Sequence, residues 1–228
     1  MKQVSFLRHA GWFGPQDSDA PLNIIGVGAT GSNIGLIAAR MGIHKFRVWH
    51  PDLVEDHNLP NQIYNIDHVG KRKVDAFEDI LTSFNPRISV EKSSTYFTKD
   101  DKSHLDGPLV LTVDTMSARK EIYHAFKTNW RVNKVFETRV GFDYAELNVI
   151  DNMDISETDS WYNCLRNDDE IPEGPCNLRI CTTLVTMVAA QTVHTICSML
   201  SSSRRNETWE YSKKTIFNLT PKLQTHNL

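Results

Sequence analysis

The sequence predicts an α/β fold: a mostly parallel sheet flanked by helices, with antiparallel strands near the C-terminus. Three observations predict it. Leu22 to Ala39 reads as a strand, a glycine turn and a helix. Apolar strand-like runs then alternate with segments of helical period. Further on, Val135-Phe136 opens a strand and Ala145 to Ile150 alternates as a strand turning back on it.

The first of these carries the most information. Leu22, Ile24, Ile25 and Val27 form a short apolar run, and Gly26, Gly28 and Gly31 follow as G-x-G-x-x-G. From Ser32 to Met41 the apolar residues fall at helical spacing. Glycines allow a tight turn and a close backbone approach to a phosphate. The helix N-terminus adds unpaired N–H groups and a partial positive charge. The context is Rossmann-like and implies nucleotide binding; the bare motif also suits a tight turn without ligand.

The remaining elements follow in order. Residues 1–21 read as an N-terminal arm, either a surface flap or a contributor to the nucleotide site. Lys45 to Trp49 is a strand by alternation and β-branching. It ends at His50-Pro51-Asp52, and Asp52 lies 24 residues after Gly28, where such folds place a ribose-binding acid. The same residues could simply close the strand. Val54 to Tyr64 is a polar loop, and Val69 to Phe84 reads as a helix with Lys71, Arg72 and Lys73 in its first turn. Cations there oppose the helix dipole, so they either face a phosphate or form a solvated turn. Ile88 to Val90 is a strand, and Lys99 to Leu105 a short helix. Leu109 to Val113 is apolar throughout and must be central and parallel. Asp114 follows at its C-terminal tip, suited either to a magnesium ion over phosphates or to capping the helix Ser117 to Asn129. Residues 151–177 read as a polar crossover loop or lid. Ile180 to Leu200 is a helix apolar almost all round, hence buried. Residues 201–206 form a polar break, and Trp209 to Leu219 a final edge strand.

Bulk properties narrow the function. The 228 residues carry a net charge of −3, so no general nucleic-acid binder is expected. No apolar run is read as a membrane span, and the first residues lack the apolar core of a signal peptide. The four cysteines, at 164, 176, 181 and 197, crowd into the last third, which points to a reducing, cytoplasmic setting rather than a disulfide scaffold. With no repeat or low-complexity linker, residues 1–228 are expected to form a single domain.

Four segments, GVGATGSNIG, VWHPDLVEDHNLPNQIY, VGKRKVDA and TVDTMSARK, resemble the ThiF/MoeB/HesA adenylyltransferases, relatives of ubiquitin-activating enzymes. They occur in the family's order over about residues 22–145. A looser match, PC-x-x-R before a late helix, resembles short phage- or plasmid-type members. The resemblance implies ATP and Mg2+ as cofactors. It also implies adenylation of the C-terminal carboxylate of a ubiquitin-like or sulfur-carrier protein, sometimes followed by transfer to a cysteine, and a homodimer. By this resemblance Gly26, Gly28 and Gly31 are the phosphate-loop glycines and Asp52 is the ribose acid. Asn58 and Gln62 stand beside the phosphates, Lys73 contacts phosphate, and Asp114 holds magnesium. Two positions depart: the first acid of D-x-D is His50, and the arginine of N-L-x-R-Q is Asn61. Arg8, Arg40 or an arginine of a second subunit could replace that arginine.

Cys176 is the candidate nucleophile, placed before a helix where a thiolate is favoured, with Arg179 nearby. It could equally be a small buried residue, or join Cys164 and Cys181 at a zinc ion, although the paired C-x-x-C motifs are absent. Cys197 reads as core. The alternatives to an adenylyltransferase are a non-catalytic member of the same fold, acting as a binding or dimerisation partner, and a nucleotide-linked dehydrogenase. Lys73 and the N-L-x-x-Q segment have no place in hydride transfer.

Overall fold

The computed structural model describes residues 4–170, 181–219 and 224–227. β1 (Leu22–Ile25) is apolar at three of four positions and fully buried. Its chain turns at Gly26, whose φ of +99° favours glycine, and enters α1 (Ala29–Met41). β2 (Lys45–Trp49), α2 (Lys73–Phe84), β3 (Ser89–Ser93), β4 (Leu109–Leu111), α3 (Met116–Phe126) and β5 (Lys134–Val140) continue the alternation. β6 (Tyr144–Asp151), α4 (Ile155–Asn163), α5 (Thr182–Arg205), β7 (Lys214–Asn218) and β8 (Gln224–Asn227) complete it. The strands form one 8-stranded sheet in the order β3-β2-β1-β4-β5-β6-β7-β8. β3 to β5 in that order pair parallel, and β6, β7 and β8 add antiparallel.

Side chains alternate across the sheet and feed two apolar layers. Leu22, Ile24, Phe46, Val48, Val110 and Phe136 pack with α1, α2 and α5. Ile25, Trp49, Leu109, Leu111 and Val135 face the other way, against α3 and α4. The strand order reverses direction between β1 and β4, so their C-terminal ends open a crevice of the kind that holds ligands in such sheets.

Several elements differ from the sequence reading. α2 begins at Lys73, because Gly70 takes a φ of +85° and Arg72 is the extended N-cap. Lys71 therefore leaves the first turn and pairs with Asp79 at 3.3 Å. The expected crossover loop at 151–177 contains α4, anchored by buried Thr158 and Trp161; residues 171–180 lie outside the described residues. α5 runs through the expected break to Arg205 and stops at Asn206, whose left-handed φ of 58° caps it. β7 is an inner strand between β6 and β8, not the edge.

By length and composition α5 could cross a bilayer, contrary to the sequence reading. In this fold it lies on α1 and β6, and 56% of its most apolar 18-residue window is buried inside the protein. The N-terminal arm lies over the far end of α1 and the C-terminal half of α5. His9 Nε2 is 3.1 Å from the Met41 carbonyl, Ser201 Oγ donates to the Trp12 carbonyl at 2.7 Å, and Arg204 pairs with Asp17 at 2.7 Å.

Candidate active site

The glycine turn is fixed from below. A Cβ on Gly31 would stand 1.9 Å from the Gly26 carbonyl oxygen, so α1 seats on the turn only because residue 31 has no side chain. Thr112, just past β4, donates its hydroxyl to the Gly26 carbonyl. The Val27 peptide is held on both sides: its N–H donates to His50 Nδ1 at 3.2 Å, and its carbonyl accepts from Tyr64 Oη at 2.7 Å. Burial pushes the Tyr64 phenol far above its ordinary pKa, so it remains a donor. Gly28 is different. A Cβ there would meet only His50 Cε1, at 3.9 Å. No packed neighbour demands glycine at this position. The space in front of it is an open cradle, as a bound phosphate requires.

A chain of contacts leads away from this loop. His50 Nε2 lies 3.1 Å from Asp52 Oδ2, and Lys73 Nζ lies 3.4 Å from the same oxygen. Because Nδ1 accepts from Val27, the imidazole proton sits on Nε2 and is given to Asp52. Burial, with the nearby Lys73 charge, pushes the His50 pKa down to about 4, outweighing the raising effects of Asp52 and Asp114. His50 is therefore neutral at ordinary pH. Lys73 is only 6% exposed, yet its ammonium has one ion-pair partner among the described residues. A buried ammonium with unused donors suits an incoming anion.

Asp114 stands at the end of β4, exposed, without a hydrogen bond or ion pair among the described residues. It does not cap α3: Thr115 does, accepting from the Ala118 N–H at 3.2 Å. Asp168, unsuspected from sequence, also holds that helix start, accepting from the Met116 and Ser117 N–H groups at 2.6 and 3.1 Å. The Met116 amide is the main reason its pKa lies below the usual carboxylate value.

The loop carrying Asn58 and Gln62 is docked on α1. Asn33 Nδ2 donates to the Asn61 carbonyl at 3.0 Å, and the Ile63 N–H to Ser32 Oγ at 3.4 Å. Asn58 is buried and spends its Oδ1 on the Glu55 N–H at 3.0 Å, which gives it a turn-forming duty. Gln62 Oε1 is buried without a partner among the described residues, an acceptor left for something that enters the site.

Gly26, Gly28, Gly31, His50, Asp52, Asn58, Gln62, Lys73 and Asp114 thus meet at the C-terminal edge of β1, β2 and β4. Arg8 and Arg40 do not. Both sit toward the far end of α1, whose 13 residues span ~20 Å, so neither replaces the missing arginine within this chain. Cys176 lies outside the described residues. The thiol at the start of α5 is Cys181, its N-cap; a bond to Thr183 Oγ1 at 2.9 Å and the Leu184 amide hold it below the ordinary thiol value. Cys197 is buried, and burial pushes its thiol up to about 12. Among the described residues no group of three His, Cys, Asp or Glu could hold a metal. Two cavities lie elsewhere, one of 320 Å³ beside Trp130 and one of 410 Å³ beside His194, and neither is lined by a residue of this cluster.

A model of the ThiF family matches residues 18–227. This chain belongs to the ThiF family. Ubiquitin-like modifier-activating enzyme 5 of Caenorhabditis briggsae is 31% identical over 86 residues, 38% of this chain and 20% of that protein. The Caenorhabditis elegans protein of the same name is 32% identical over 78 residues, 34% of this chain and 19% of that protein. The matches therefore span only about a fifth of these relatives' lengths. Among solved structures, PaaA superposes with a TM-score of 0.70 at 19% identity, covering 92% of this chain and 64% of that one. E. coli MccB with succinimide gives 0.70 at 18% identity, covering 92% and 63%. E. coli tRNA N6-threonylcarbamoyladenosine dehydratase, TcdA, gives 0.65 at 14% identity, covering 83% and 89%. These neighbours share the ThiF fold, with its mostly parallel sheet and antiparallel C-terminal strands.

Proposed function

We propose that this ThiF-family chain is an ATP-dependent adenylyltransferase that activates the C-terminal carboxylate of a ubiquitin-like or sulfur-carrier protein. The observation that carries the reading is the open cradle at Gly28 beside His50, a ring that feels the charges of both buried Lys73 and Asp114. E. coli MccB has been solved with ATP, and with AMPCPP and MccA, so that neighbour binds a nucleotide and MccA together.

The donor set suits ATP. The Gly28 cradle leaves room for a phosphate and Lys73 brings positive charge, while Gln62 Oε1, without a partner among the described residues, can accept from a hydroxyl or amino group of the nucleotide. Asp52, 54% exposed at its side chain, is free on one side for ribose hydroxyls. A single carboxylate, Asp114, is enough for magnesium, which takes one or two carboxylates together with phosphate oxygens and water. When bound, the ion neutralises charge on the transferring phosphate. The substrate carboxylate oxygen forms a bond to the α-phosphorus, the bond from that phosphorus to the bridging oxygen breaks, and pyrophosphate leaves. Lys73 and the loop amides offset the charge on the transferred group, and no covalent protein intermediate is needed. A later thioester step would fall to Cys176. The reading also places the protein in the cytoplasm as a homodimer.

Calorimetric titration with ATP and magnesium, with NAD as comparison, tests the reading first. Micromolar binding of ATP and magnesium-dependent exchange of pyrophosphate into ATP, given the carboxylate substrate, are expected. Tighter binding of NAD would overturn the reading. ATP binding with no exchange under any candidate carboxylate would favour the non-catalytic alternative, a binding partner.

The two inner glycines separate folding from binding. Gly31→Ala is expected to destabilise the fold by ~2 kcal/mol or more, because the Gly26 backbone must move. Gly28→Ala is expected to cost clearly less stability than Gly31→Ala, because no packed atom stands where its Cβ would go. It should nonetheless weaken ATP binding at least about tenfold by filling the cradle. Thermal melts and titrations of both variants check this; equal effects on melting would remove the cradle from the argument.

A further inference from the structure

We propose that Asp168 is a positioning residue: by taking the amides at the start of α3 it keeps Asp114 off that helix and leaves the Asp114 carboxylate for magnesium. The inference deepens the adenylyltransferase reading and rests on it for the role of the ion.

A helix begins with N–H groups that have no partner inside it. Asp114 stands two residues before Met116 and three before Ser117. Those are the offsets at which an aspartate side chain accepts from the N–H groups that follow it. Capping α3 is therefore the local alternative to chemistry for this carboxylate. The structure gives both amides to another acid, 52 and 51 residues away in sequence. Asp168 Oδ1 accepts from Met116 at 2.6 Å and Oδ2 from Ser117 at 3.1 Å. The Ala118 amide goes to Thr115 Oγ1 at 3.2 Å. The Arg119 amide reaches the Thr115 carbonyl at 3.4 Å, where the helix's own bonds begin. From Met116 to Arg119 every amide is satisfied without Asp114. That carboxylate is left exposed, and its charge is felt by His50 beside the Gly28 cradle.

The segment carrying Asp168 is braced to deliver it there. Asp159 on α4 accepts from Tyr123 Oη at 2.5 Å and pairs with Lys127 at 2.8 Å. Tyr162 stacks on the Tyr123 ring with centroids 4.1 Å apart, and Asn167 accepts from Lys120 Nζ at 2.7 Å. Residues 116, 120, 123 and 127 recur at helical intervals and share one side of α3. The chain from Asp159 to Asp168 thus follows that side of α3 to its N-terminus.

A cycle of Asp114→Ala, Asp168→Ala and the double variant, read by urea unfolding, tests the exchange of caps. In the parent, Asp114→Ala should change the unfolding equilibrium constant less than about threefold, because Asp168 keeps the amides. In the Asp168→Ala background Asp114 takes them over. Removing it there should have an effect at least about fivefold larger, the loss of a cap. Calorimetric titration of ATP with and without magnesium reads the consequence. The gain in ATP affinity that magnesium gives the parent should fall at least about fivefold in Asp168→Ala, while magnesium-free affinity stays within about threefold. Asp168→Asn keeps one acceptor of two and should lose less of that gain than Asp168→Ala.

An equal effect of Asp114→Ala in both backgrounds would mean that Asp114 never takes the amides, and would overturn the proposal. So would an undiminished magnesium gain in Asp168→Ala. Equal losses in Asp168→Asn and Asp168→Ala would make the charge of Asp168, not its hold on the amides, the cause, and would overturn it too. A parent that binds no ATP overturns the adenylyltransferase reading and with it the role of the ion. The unfolding cycle needs no nucleotide, and it decides the exchange of caps by itself.

Discussion

Asp114→Ala should lower pyrophosphate release by at least about a thousandfold while leaving the fold intact, the scale expected when a metal-holding carboxylate is lost. Both halves follow from where this side chain stands. β4 is buried along its whole length, so its C-terminal tip is fixed relative to the glycine turn that Thr112 bonds. The next helix is capped by Thr115 and by Asp168, so Asp114 has no part in starting it. An exposed carboxylate without partners among the described residues contributes little to stability, and its removal should move folding by no more than about 0.5 kcal/mol. A carboxylate that makes no hydrogen bond or ion pair among the described residues, yet is felt by His50 beside the Gly28 cradle, is available for chemistry. Asp114→Asn keeps the shape and removes the charge, and it should be nearly as impaired if the charge holds the ion. Initial rates of pyrophosphate release and thermal melts of both variants check this. Rates within threefold of the parent would refute the role of Asp114.

The parts of this site that lie within motifs were legible in the sequence. Gly26, Gly28 and Gly31 form the strand-to-helix turn that the spacing predicts, and Asp52 and Asp114 follow the neighbouring strands β2 and β4. The groups that hold them were not, because each acts across the chain. Tyr64 reaches Val27 from 37 residues away, and Thr112 reaches Gly26 from 86. No local spacing announces such bonds. The same limit applies to the fold. β1 and β4 are apolar enough to be read as buried strands from composition. α4 is not legible in the sequence because it buries only Thr158 and Trp161 and is mostly polar elsewhere, which resembles loop sequence. The serines after Leu200 resembled a break, yet Ser201 is buried against the N-terminal arm and the helix continues through them. Gly70 lies inside an apparently helical stretch, and its left-handed backbone moves the start of α2 to Lys73.

The largest effect on stability should come from Glu137, which is completely buried on β5. Arg119 Nε and Arg139 Nε each lie 2.7 Å from its Oε1, and Asn148 donates to Oε2 at 2.7 Å. Arg119 reaches on to the carbonyls of Thr115 and Thr138 at 3.1 and 3.2 Å. One carboxylate therefore fastens the first turn of α3, immediately after Asp114, to the neighbouring strands. Glu137→Gln should cost about 3–5 kcal/mol, because Arg119 stays buried beside a group that no longer balances it. In a chain of this size that corresponds to a fall in melting temperature of about 10 °C. Burial alone would raise the Glu137 pKa, but the charges of Arg119 and Arg139 outweigh it and hold the group below its ordinary value. A depressed folded-state pKa adds stability above the unfolded value of about 4.3, and that stability disappears as pH falls through the folded value. The difference between parent and Glu137→Gln should therefore be constant near neutrality and shrink below about pH 4. Urea unfolding of both proteins between pH 7 and pH 3 measures it. A difference that persists undiminished in acid would mean that shape, not charge, makes Glu137 matter, and that α3 and the carboxylate before it are held by packing alone.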